Sequence, residues 1–165
     1  MICRVEDSVD RHLARWRGKA PFDEKVEGII TRMQLLMKHL AHTKEAVLAE
    51  VGLQEFAFET IHRLVARGGS ATPSELAAEL LLSPAGMTGR LDTLERAQLV
   101  RRVRGTDDRR RVDVELTGKG HDLWTAAMTV RAEAEAEMVA ALAPADQALL
   151  NGLLKQMLTR VESPS

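Results

Sequence analysis

Tyrosine is absent from this chain, cysteine occurs once, as Cys3, and there are only two tryptophans and three phenylalanines. A lone cysteine excludes an internal disulfide and any site built from several thiolates, a usage that fits a reducing cytoplasm. With so few aromatic rings, an apolar share of 45% must come mostly from Leu, Val, Ala and Met, a mixture that favours helices over extensive sheet. No apolar run approaches the roughly 20 residues that cross a bilayer. No early segment joins a basic start to a long apolar stretch and a small-residue cleavage site. The expectation is a soluble, unexported, cytoplasmic protein without a membrane partner. There is also no Gly-rich phosphate loop, no nucleophile in a recognisable setting and no metal motif. The chain is therefore expected to be no enzyme and to carry no catalytic residue, cofactor or metal.

What is present is helical periodicity broken by well-written caps. At 165 residues the chain suits one domain, 1–165. An arm helix over 1–20 is expected from Val9, Leu13 and Trp16 at spacings of four and three, stopped by Gly18 and Pro21. From Phe22 to about Ala49, Val26, Ile29, Ile30, Met33, Leu36, Met37 and Leu40 predict one long helix. Leu53 to Ala66 is a further helix with Phe56, Ile61, Leu64 and Val65 buried, ended by Gly68-Gly69. In "TPSELAAELLL" Thr72 is a cap, Pro73 suits the first turn, and Glu75 completes a capping box. "SPAGMTGRLDTLERA" repeats the device with Ser83 and Pro84, and Met87, Leu91 and Leu94 form a one-sided stripe. Two short helices joined by a tight turn have helix-turn-helix geometry.

Past Gln98, "LVRRVR" and "RVDVEL" read as two strands, and Val112, Val114 and Leu116 alternate against Arg111, Asp113 and Glu115. "GTDDRR" is their turn. Thr117 caps a helix to about Leu142, and Pro144 opens a last helix carrying Leu149, Leu150, Leu153, Leu154, Met157 and Leu158. Charge is distributed unevenly along this order. Net charge is only -1, yet residues 83–111 hold eight arginines against four acids. For a polyanion site the local excess counts, not the total.

A helix-turn-helix followed by a basic hairpin is a winged helix. The run Asp108-x-Arg110-x-x-x-Val114-x-Leu116-Thr117-x-x-Gly120 resembles the wing signature of the MarR (multiple antibiotic resistance regulator) family. "SPAGMTGRLDTLERAQLVRR" is similar to that family's recognition helix and first wing strand, and the likeness spans about residues 22 to 160. It implies a mainly α fold with a small β-hairpin. A winged helix-turn-helix over 53–117 would be flanked by dimerisation helices at 22–50 and 118–162. The implied function is a sequence-specific, ligand-responsive regulator, expected to repress, that binds double-stranded DNA as a homodimer on a pseudo-palindromic operator. Where the family usually has glycine before Leu-Val, this chain has Gln98, which pays for a left-handed cap, so the local turn is open to change.

Physical reading of the same residues supports a DNA site. A recognition helix must keep one face short for its backbone to enter the major groove. Ser83, Pro84, Ala85, Gly86, Thr88, Gly89, Arg90 and Thr93 meet that need, and only Arg90 among them can make a bidentate contact to guanine. Arg109, Arg110 and Arg111 at the hairpin tip can reach phosphates or a narrow minor groove. Asp108 is assigned to orienting Arg110 by a carboxylate–guanidinium pair. The bland alternatives are helix packing by the small residues and a solvated charged loop. The rival function is a helical dimeric ligand- or protein-binding module without DNA binding, which would pass through a heparin column.

For an effector pocket, the N-terminal helix with Trp16, followed by Arg90 and Arg102, resembles the urate-responsive branch of the family. That branch uses a tryptophan, an aspartate and two arginines, and Ala57 stands at the matched aspartate position. The effector expected is therefore a small aromatic or anionic molecule of open identity. Trp16 has a second reading as a packing anchor on Leu13 and Val9. Cys3, at a terminus and without nearby tyrosines, is a poor redox sensor. His39 and His42 with His62 or His121 fall short of the convergent ligands zinc needs.

Overall fold

The computed structural model describes residues 6–104 and 112–163. The chain divides into two compact units, Met1–Ala46 and Val47–Ser165.

In the first unit, α1 (Ser8–Trp16) begins at a capping box. The Asp7 side chain accepts from the Val9 and Asp10 amides, and the Asp10 carboxylate accepts from the Asp7 amide. Arg32, on the long helix α2 (Glu24–Glu50), donates to Asp7 at 2.8 Å and to Asp10 at 2.7 Å. Its guanidinium is the main reason the Asp7 carboxyl is held down at about 2. Val9 and Leu13 are buried as the stripe predicts, but Trp16 is 44% exposed. Its ring centre lies 6.5 Å from that of His12. On α2, Val26, Ile29, Ile30, Leu36 and Met37 are all exposed among the described residues.

The second unit is the winged helix. After α2 come α3 (Glu55–Ala66), β1 (Ser70–Ala71), α4 (Pro73–Glu79), α5 (Pro84–Arg96), β2 (Val100–Arg104), β3 (Val112–Leu116), α6 (Gly118–Val139) and α7 (Pro144–Glu162). The three caps read from sequence are formed. Thr72 and Glu75 close their box, Ser83 Oγ accepts from the Gly86 amide at 3.1 Å, and Thr117 Oγ1 accepts from the Gly120 amide at 3.0 Å. Ile61, Leu64, Leu76, Met87, Leu91, Leu94 and Val114 are fully buried around one core. Each such side chain contributes about 1.5–3 kcal/mol relative to exposure.

Three departures from the sequence reading have physical causes. The hairpin is joined by a third strand, giving an antiparallel sheet in the order β1-β3-β2, with Ser70 opposite Glu115 and Ala71 opposite Val114. Two residues carry no period, so only the arrival of β3 makes them a strand. Val112 is exposed and Val114 alone on β3 is fully buried, because the hairpin leaves the core as it extends. Phe56 and Val65 are only partly buried, flanking the core rather than filling it. At the end of α5 the left-handed turn is retained: Gln98 adopts φ +60°, and the Leu99 amide reaches the Leu94 carbonyl at 2.9 Å. Leu81, in the turn between α4 and α5, is likewise left-handed at φ +53° and is 92% exposed.

Candidate nucleic-acid interface

The recognition helix α5 buries Met87, Leu91 and Leu94 and leaves Ser83, Pro84, Ala85, Gly86, Thr88 and Gly89 exposed, with Thr93 half-buried. The exposed face is low. Thr88 Oγ1 donates back to the Pro84 carbonyl at 2.9 Å and Thr93 Oγ1 to the Gly89 carbonyl at 3.0 Å, so both hydroxyls lie along the helix. A Cβ added at Gly89 would meet no atom within 4 Å. Mid-helix glycine costs up to about 1 kcal/mol relative to alanine, and nothing packed inside this module requires it. No acidic residue sits in the first turn, so the positive end of the helix is left open to an anion.

Arg90 is placed differently from expectation. Its guanidinium lies 3.2 Å from Glu59 on α3, with its central carbon 5.7 Å from the centre of the Phe56 ring. Position 90 borders the buried stripe, so a long side chain there lies along α3 before it can reach outward. Arg102 on β2 is also engaged. It donates to Asp92 at 2.7 Å and to Glu95 at 2.5 Å, while its own amide donates to the other Glu95 oxygen at 3.0 Å. The hydrogen bond to Asp92, above all, holds the Arg102 guanidinium above its ordinary range.

Two of the three expected pocket residues make ion pairs within the second unit. Arg90 and Arg102 hold different carboxylates, Trp16 belongs to the other compact unit, and Ala57 is buried in the core without a carboxylate. Sequence reading missed Glu59, Asp92 and Glu95 as arginine partners. Asp92 and Glu95 at i, i+3 was the available signal, but only the fold brings Arg102 to them. Across the hairpin, Arg101 faces Glu115 in register and pairs with it at 2.7 Å, and Arg104 is exposed. Asp108, Arg109, Arg110 and Arg111 lie outside the described residues. No group of three or more His, Cys, Asp or Glu suited to a metal occurs among the described residues. No helix there is long and apolar enough to cross a membrane.

A capped helix-turn-helix, a low-faced second helix and a three-stranded wing base together define a winged-helix module. The MarR family model matches residues 58–112, the stretch that holds most of this module. The HTH-type transcriptional regulator PecS of Dickeya dadantii is 28% identical over 147 residues, covering 85% of this chain and 86% of PecS. The HTH-type regulator YhbI of Bacillus subtilis is 32% identical over 105 residues, covering 61% of this chain and 68% of YhbI. The crystal structure of the Staphylococcus aureus MepR–DNA complex superposes with a TM-score of 0.65 at 22% identity, covering 78% of this chain and 96% of that one. The chain belongs to the MarR family, and it is a DNA-binding transcriptional regulator.

Proposed function

We propose that this regulator reads duplex DNA with the exposed face of α5, acts as a homodimer, and represses until a small aromatic or anionic effector releases it. The observation that carries the DNA-reading residues is the low face of α5 centred on Gly89. A glycine with open space above it lets a groove wall approach the backbone where any Cβ would stand in the way. The Ser83 to Thr88 face and the open helix N-terminus supply donors toward a phosphate or base edge.

Dimerisation is supported by α7, which buries none of its residues in this chain and exposes Leu149, Leu150, Leu153, Leu154, Met157 and Leu158. A contiguous apolar stripe of that length suits an interface, and family membership favours a second copy as its occupant. A monomer in sedimentation equilibrium would reject this part. The effector reading keeps its chemical class, with Trp16, Arg90 and Arg102 as its candidate anchors. An anion at Arg90 or Arg102 would share the guanidinium with a carboxylate or displace it. Repression would follow from occupancy of a promoter by the dimer, in the cytoplasm where the DNA is.

Gly89→Ala tests the reading face. It should raise the melting temperature, because alanine is the better helix former by about 1 kcal/mol, and at the same time weaken specific duplex binding at least tenfold. A Gly89→Ala protein that is stabilised and binds as before would remove α5 from the groove.

A further inference from the structure

We infer that Arg102 is a positioning residue for DNA recognition: it sets the angle between the recognition helix and the wing by bridging Asp92 and Glu95, rather than by touching DNA. The inference rests on the DNA-reading role of α5 and goes beyond it by assigning the element that aims the helix. Three facts carry it. Asp92 and Glu95 lie one turn apart on α5, so a fork reaching both resists rotation of the helix about its axis as well as displacement along it. The third bond, from the Arg102 amide to Glu95 at 3.0 Å, ties the same turn to the backbone of β2 and not merely to a mobile side chain. Between the two elements run only residues 97–99, whose left-handed Gln98 makes the link a single sharp turn. Without the bridge, the wing would be joined to α5 by that turn, by the apolar contacts beneath it and by the bonds that Thr117 and Lys119 make to the carbonyls of residues 97–99.

The geometry also weighs against a direct role. Both terminal nitrogens of the guanidinium are spent on carboxylates, and the Arg102 side chain is only 29% exposed. Lysine, a point charge without a fork, cannot reproduce the bridge.

The two roles predict opposite responses to charge removal. Duplexes enriched by the wild-type protein from a randomised pool serve as the specific probe, and mixed-sequence duplex DNA as the non-specific one. Arg102→Ala should lower the specific-to-non-specific affinity ratio at least tenfold. The slope of log affinity against log salt should change by less than the roughly 0.9 expected for one lost phosphate contact. The double variant Asp92→Asn/Glu95→Gln, nearly isosteric, should lower the same ratio even though it removes two negative charges from a DNA-facing helix. Thermal melting checks that both variants are folded. If the double variant instead binds both probes more tightly with its ratio unchanged, the carboxylates are only surface charge and the inference is wrong. A full unit lost from the Arg102→Ala slope would equally overturn it, as a phosphate contact. If the wild type enriches no duplex, the DNA-reading role itself fails, an outcome distinct from a binding wild type with indifferent variants.

Discussion

Gly120→Ala should be among the most damaging single-methyl additions in this protein. Gly120 lies in the first turn of α6, and a Cβ built there would stand 2.2 Å from the Leu99 carbonyl oxygen and 2.8 Å from Leu116 Cδ1. Ordinary carbon–oxygen contact is about 3.3 Å, so the helix and the strand must part by roughly 1 Å. The Leu99 carbonyl cannot yield freely. It accepts from the Thr117 amide at 3.1 Å and from Thr117 Oγ1 at 3.0 Å, the same hydroxyl that caps α6 through the Gly120 amide. Overpacking costs about 1–3 kcal/mol, and a weakened cap adds about 1 kcal/mol. The total of roughly 2–4 kcal/mol is a large part of the ~5–15 kcal/mol that holds a domain together. At about 2–4 °C per kcal/mol for a chain of this size, melting should fall by roughly 4–16 °C. Gly118→Ala is the matched control: two residues away, its added Cβ meets nothing within 4 Å. Calorimetry of the two variants checks the reasoning, and it fails if Gly120→Ala melts together with Gly118→Ala.

Two further outcomes follow from the backbone and from His62. Gln98→Gly and Leu81→Gly each release a left-handed residue that carries a Cβ, at φ +60° and +53°. Each should stabilise the module by about 1 kcal/mol, and unchanged melting curves would show that the turns hold no strain. His62 accepts from the Trp124 indole at 3.1 Å through Nδ1 and stacks on Phe58, an arrangement that needs the neutral ring. Burial first, then the nearby Arg63 and Arg131, push its pKa below the ordinary 6.5. A base neutralised by folding contributes stability that is complete above pH 6.5 and is lost as pH falls through the depressed value. In a Trp16→Phe background, Trp124 fluorescence should therefore change with a midpoint below 6.5, and a midpoint above it would contradict the assigned cause.

The parts of this fold that were legible in the chain are those written by neighbours. Thr72 with Glu75, Ser83 before Pro84, and Thr117 before Gly120 name three helix starts because a cap needs only a side-chain oxygen within three residues of an amide. The Met87, Leu91 and Leu94 stripe names the buried face of α5, and what remains on the helix is its exposed face. Gly89 was readable as a small residue, but the open space above it was not.

Long-range geometry decided the rest. Ser70 and Ala71 become a strand only because β3 arrives beside them. Arg90 and Arg102, alike in the sequence as free positive charges, are both taken by carboxylates: Glu59 lies 31 residues from Arg90, and Asp92 and Glu95 ten and seven from Arg102. A long cationic side chain has many reachable partners, and its choice depends on which carboxylate the packing brings within about 4 Å of its fork. Local hydrogen-bonding and periodic burial can thus be read along the chain, whereas the destination of a charge is settled only when the elements are in place.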